Sequence, residues 1–248
     1  MTLIISVIAT LVMLFAACHD ASAQQPVVRI SGRVTDFSGN PMGGASVFWQ
    51  NESFDDVCSA VCDSTGHYEA LVPAGRHYYV SAVNMRHYPK SDQLSVTSPD
   101  DMRLEFWAWN YIAERDTTLD IRYHRMEAYG INIFQIQGAT PAYQIYVRPM
   151  SLTRTAEWIA RQSNDVSLAP PLELLDVKVW IDGVEADVLM KQQVKEYFSA
   201  EQTGTAYLIT VSYRPPRTPY TTFRIQLTDM ENGDQGEGIC HYELGEKR

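Results

Sequence analysis

Residues 31–49, SGRVTDFSGNPMGGASVFW, and residues 62–83, CDSTGHYEALVPAGRHYYVSAV, decide how this chain is read. Val28, Ile30 and Val34 alternate with Arg29, Ser31, Arg33 and Thr35, the period-2 pattern of a half-buried strand. Asp36 opens a turn in which Gly39 and Asn40 can take positive φ and Pro41 fixes the exit. Gly43-Gly44 then feeds Ala45, Val47 and Trp49 onto one face of a second strand, with Ser46, Phe48 and Gln50 on the other. Asp63-Ser64-Thr65-Gly66 announces a third strand, Tyr68 to Val72, and Pro73-Ala74-Gly75 turns it into a fourth, Tyr78 to Val83.

The order Gly32-x-Val34-x-Asp36-x-x-Gly39-x-Pro41-x-x-Gly44-Ala45-x-Val47, followed by Asp63-x-x-Gly66-x-Tyr68 and Pro73-Ala74-Gly75, resembles the carboxypeptidase regulatory-like domain, a transthyretin-like (prealbumin-like) β-sandwich. The resemblance spans residues 28–97. It implies a fold and an accessory role, because such modules are attached to peptidases, outer-membrane receptors and surface proteins of many kinds.

The 248 residues leave room for a leader and two domains, and 45% hydrophobic with 20% charged residues is a composition that buries a core. A formal charge of −10 without any basic cluster argues against nucleic acid as a partner. Residues 3–17, LIISVIATLVMLFAA, form an apolar run of signal-peptide length, too short to span a bilayer. Two exits compete. Ala21-Ser22-Ala23 before Gln24 fits ordinary signal peptidase and is preferred, giving a leader of residues 1–23; Phe15-Ala16-Ala17-Cys18 resembles a lipobox whose Cys18 would carry a lipid. The mature chain is then exported, to the periplasm, the outer-membrane surface or the medium, and meets a membrane only through such an anchor.

Export into an oxidising compartment makes disulfide chemistry the first expectation for cysteine. Reading Asp55 to Asp63 as a turn pairs Cys58 with Cys62 in a small loop, and leaves Cys240, in the alternation Cys240, Tyr242, Leu244, as a buried thiol.

Leu94 and Val96 close the first domain, residues 27–99, and the boundary falls near residue 100. Residues 102–248 read as a second antiparallel sandwich, immunoglobulin-like or jelly-roll-like. Its strands include Leu104 to Trp109, Leu119 to Tyr123, Tyr129 to Gln137, Tyr143 to Arg148, Val177 to Ile181, Tyr207 to Tyr213, Phe223 to Thr228 and Ile239 to Leu244. Leu152 to Gln162 is the one short helix, and Met190 to Phe198 fits either helix or strand. The fold class is all-β.

No nucleophile elbow, zinc-binding HExxH, phosphate loop or dinucleotide fingerprint occurs, and no cofactor is expected. Three features can carry chemistry. Asp229, Glu231, Asp234 and Glu237 place oxygen ligands in one acidic loop that suits calcium, or simply a polar hairpin tip. Trp107 and Trp109 share a strand face with Tyr111 two residues on, the pattern of a sugar-stacking platform and equally of core packing. Carboxylate pairs that meet only in space leave a hydrolase open. The expectation is a non-catalytic exported envelope protein that acts in adhesion, as a scaffold or in ligand binding. A surface glycan or another envelope protein would be its partner, and a carbohydrate-binding accessory protein and a hydrolase are the alternatives.

Overall fold

The computed structural model describes residues 25–90, 101–136, 138–161, 164–166 and 168–243. The leader, Cys18 and the strand expected at Leu94 and Val96 lie outside the described residues. The fold is all-β with a single helix among the described residues, α1 (Leu152–Arg161).

One eight-stranded sheet runs through the molecule. In spatial order it holds β13 (Val184–Ala186), β12 (Leu175–Ile181), β16 (Tyr220–Asp229), β17 (Gln235–Glu243), β6 (Phe106–Ala113), β5 (Gly75–Val83), β2 (Ser46–Gln50) and β3 (Asp56–Val61). Its neighbours pair antiparallel except where β17 meets β6, a parallel contact through Gly238/Trp107, Ile239/Ala108 and Cys240/Trp109. A sheet of β4 (His67–Pro73), β1 (Val27–Thr35), β7 (Thr117–Thr118) and β8 (Ile121–Arg122) covers the β2–β6 half. A sheet of β9 (Met126–Phe134), β10 (Ala142–Ser151), β15 (Thr203–Ser212), β11 (Asp165–Val166) and β14 (Val188–Tyr197) covers the β12–β17 half.

Each half has its own core. The first gathers Ile30, Val34, Val47, Trp49, Tyr68, Val72 and Val80, and is completed by Phe106, Ala108, Tyr111, Leu119, Ile121 and Tyr123. Ala45, Val47 and Trp49 do share one face and are fully buried, because the alternation that follows Gly43-Gly44 sends every second side chain inward. The Tyr68 hydroxyl donates to the Leu119 carbonyl at 2.6 Å, tying β4 to the segment between β7 and β8. That segment, and β6, thus belong to the first core although they lie after residue 100. The second core gathers Ile131, Tyr143, Ile145, Val147, Tyr207, Val179, Phe223 and Ile225. On β17, Ile239 enters the first core and Cys240 the second, so this strand is buried on both faces.

Two local expectations are corrected. Asp55 to Asp63 is not a turn but mostly strand β3, and Cys58 and Cys62 are free thiols. Four residues of extended chain separate two side chains by about 13 Å, far beyond disulfide reach. Met190 to Phe198, left open between helix and strand, is almost wholly β14, paired with β15 from Val188/Val211 to Tyr197/Thr203.

Candidate functional site

Trp107 and Trp109 lie on the face of β6 turned away from the first core, opposite Ser81 and Tyr79 of β5. Tyr111 does not share that face. Asn110 takes a left-handed φ of 53°, the strand alternation slips by one, and Tyr111 enters the first core with Ala113. Its ring stacks instead on His241, with centroids 4.9 Å apart.

The two tryptophans sit where the face of β5 and β6 turned away from the first core meets β9, the edge of the second core's outer sheet. A continuous line of rings crosses this corner. Phe54 lies flat on Tyr79, centroids 4.1 Å apart and planes 4° from parallel. Tyr79 meets Trp109 edge to face at 5.2 Å, and Trp109 meets Tyr129 of β9 at 5.1 Å. The Arg148 guanidinium then stands 5.6 Å over Tyr129 and 5.2 Å over Phe198. Arg148 is held by Glu196 through two bonds of 2.5 and 2.6 Å, and Tyr146 donates to the same carboxylate. Trp107 is 7% exposed and supports this line from below; Phe54 and Phe198 at its ends are 45% and 44% exposed. Phe54 holds a left-handed φ of 64°, costly for a bulky side chain. The turn imposes it: Asn51 Oδ1 accepts from the Ser53 and Asp55 amides, and the Asn51 carbonyl accepts from the Phe54 amide. Sequence reasoning missed Phe54, although a lone aromatic inside the polar run Asn51 to Asp56 is a visible signal.

Two acids lie under the corner. Glu127 is 4% exposed, and burial first, then the neighbouring Glu105 carboxylate, hold its carboxyl well above the carboxylate range. Burial also pushes Glu105 up to about 7, against the Tyr88 hydroxyl bonded to it.

The acidic loop is not a calcium site, because each of its carboxylates is turned to an arginine. Asp229, fully buried, takes a forked contact from Arg154 at 2.6 and 3.0 Å, and Glu231 takes the same guanidinium at 2.8 Å. Asp234 pairs with Arg125 at 2.8 Å, accepts from Ser151 Oγ at 2.6 Å and caps the start of α1 through the Thr153 amide. Glu237 lies between Arg122 and Arg224. Among the described residues no group of three or more His, Cys, Asp or Glu could hold a metal ion. Cys240 lies in the second core, where burial pushes its thiol up to about 12.

No family model and no curated protein matches the chain. Among solved structures it is similar to the major pilin subunit of Bacillus cereus, 12% identical over 88% of this chain and 68% of that one, with a TM-score of 0.23, and 0.26 for a variant of that subunit. It is also similar to the titin domains Z1Z2 in complex with telethonin, 14% identical over 90% and 96% of the two chains, at 0.19. The endo-fucoidan hydrolase MfFcnA4 from glycoside hydrolase family 107 follows, 8% identical over 86% and 26%, also at 0.19. Likeness this distant bears on neither fold nor function; the all-β architecture stands on the strands themselves. No helix among the described residues is long and apolar enough to cross a membrane.

Proposed function

We propose that this chain is a non-catalytic exported envelope protein that binds carbohydrate along the line from Phe54 through Tyr79, Trp109 and Tyr129 to Phe198. The observation that carries the reading is Phe54, an exposed ring kept in a strained backbone conformation that lays it flat on Tyr79. A buried ring would be explained by packing, whereas strain spent on an exposed one points to use. Flat apolar faces beside the charged Arg148–Glu196 pair suit pyranose rings, whose faces are apolar and whose rims are hydroxylated. The resemblance of residues 28–97 to the carboxypeptidase regulatory-like domain, an accessory module, supports a binding role, and the apolar run at residues 3–17 supports export.

Electrophoresis through gels containing soluble polysaccharides tests this. A retarding glycan should exist, and Phe54→Ala, Tyr79→Ala and Trp109→Ala should each weaken retention by about 1–3 kcal/mol. Unchanged retention in all three folded variants would sink the aromatic site. The second reading, a hydrolase, rests on the Glu105 and Glu127 carboxyls beneath Trp107. Glycan release by the wild type, abolished in Glu105→Gln or Glu127→Gln, would establish it in place of the binding role.

A further inference from the structure

The shared sheet has a second corner. The face of β16 and β17 turned away from the second core presents Tyr220, Thr222 and Arg224 on one strand and His241 on the other, and Thr117 and Thr118 of β7 stand against it. A cavity of about 190 Å³ opens there, and a wider one of about 370 Å³ adjoins it past Arg115, Tyr220 and Thr222.

His241 is built into this cavity. It is 8% exposed and lies between two tyrosine rings, Tyr111 at 4.9 Å and Tyr220 at 4.7 Å. Its Nδ1 accepts a hydrogen bond from the Ile112 amide at 2.9 Å, so the neutral ring carries its proton on Nε2. Nε2 has no hydrogen-bond partner among the described residues. Burial pulls the ring down to about 4, which keeps it neutral at physiological pH.

The charge of the cavity runs against that of the chain. The protein carries −10 overall, yet the inner cavity is lined by Arg115 and Arg224 and by no aspartate or glutamate. Arg224 is fixed by Glu237 and by the Asp120 carbonyl, whereas Arg115 is exposed and makes no ion pair among the described residues. The wider cavity adds Glu114 and Asp182, groups that accept hydrogen bonds, together with Arg217. The charged side chains of the inner end are all cations, whereas the outer end mixes carboxylates with arginine, which fits an anionic head inside and hydroxyl groups behind it.

We propose that this corner binds a sugar acid of monosaccharide size, its carboxylate between His241 Nε2 and Arg115 and its hydroxyls toward Glu114 and Asp182. The site is independent of the aromatic corner and stands or falls without it.

The test is an NMR titration of the full chain, ¹⁵N-labelled at histidine, with glucuronate and with glucose. Glucuronate should shift His241 Nε2 saturably and glucose should not. Arg115→Ala, an exposed change that leaves the fold intact, should raise the glucuronate Kd about tenfold, the weight of one charge-assisted hydrogen bond. The proposal is overturned if glucuronate gives no saturable shift of His241, if glucose shifts it equally, or if Arg115→Ala binds glucuronate as tightly as the wild type.

Discussion

At the β5–β6 corner the face of the shared sheet turned away from the first core carries Tyr79, Trp107 and Trp109, walled by Tyr129 of the other half's outer sheet. At the β16–β17 corner the opposite face carries Tyr220, Arg224 and His241, walled by Thr117 and Thr118. Both arise from one feature, the parallel join of β6 to β17 that places two cores on opposite faces of one sheet. Each half thereby lends its outer sheet as a wall to the outer face of the other. The difference lies in the chemistry of the walls. Aromatic rings pack against one another at the first corner, whereas polar and charged side chains line cavities of about 190 and 370 Å³ at the second.

The largest expected effects come from removing the close approaches that set the walls. A Cβ on Gly236 would lie 2.2 Å from the Met126 carbonyl oxygen beside β9, and one on Gly32 would lie 2.1 Å from the Leu119 carbonyl oxygen beside β7. Both obstacles are backbone and cannot swing aside. Gly236→Ala and Gly32→Ala should each destabilise by about 3 kcal/mol or more in urea unfolding. If Gly236→Ala disturbs only the aromatic corner and Gly32→Ala only the cationic one, the corners are separate units on a common sheet.

Proton binding should separate them next. Glu105 titrates near 4.5 when unfolded and at about 7 in the fold, so its contribution is complete below about 4.5 and is lost as pH rises to about 7. Glu105→Gln should therefore gain on the wild type across that window by on the order of 2 kcal/mol. His241 runs the other way. It titrates near 6.5 unfolded and at about 4 folded, so its contribution is present above 6.5 and is lost as pH falls toward about 4. Urea midpoints of wild type, Glu105→Gln and His241→Gln across this range should give difference curves of opposite slope; equal slopes would erase the contrast.

Smaller effects sharpen the comparison. Phe54→Asn keeps a residue that tolerates left-handed φ and loses the stack on Tyr79, so stability should change by less than about 1 kcal/mol while glycan retention falls. Arg115→Ala should leave the thermal midpoint unchanged, within about 0.5 kcal/mol, because the side chain is exposed and unpaired among the described residues.

Most strands of both cores were legible because period-2 alternation is a local property: Ala45, Val47 and Trp49 could be assigned to one face before any fold was known, and the structure buries that face. The buried thiol of Cys240 was legible for the same reason, and the helix at Leu152 through its own local pattern of helix-forming residues. Strand β3 was not, because on this edge strand only the small Cys58 and Ala60 turn inward while Val57 and Val61 face outward, and the flanking aspartates read as a turn. Tyr111 was misplaced because a single left-handed residue, Asn110, reverses the parity of everything after it, and asparagine in a strand does not announce that conformation. The four loop carboxylates looked like a cation site because their partners are far away in sequence: Arg154 is 75 residues from Asp229, and Arg122 is 115 from Glu237. Sequence by itself determined most of the strands and, where no residue such as Asn110 breaks the alternation, which side chains share a face along them. Which face is inside, which half completes the other's core and which charge neutralises which were decided by tertiary structure alone, because those choices depend on contacts between segments that have no local energetic signature.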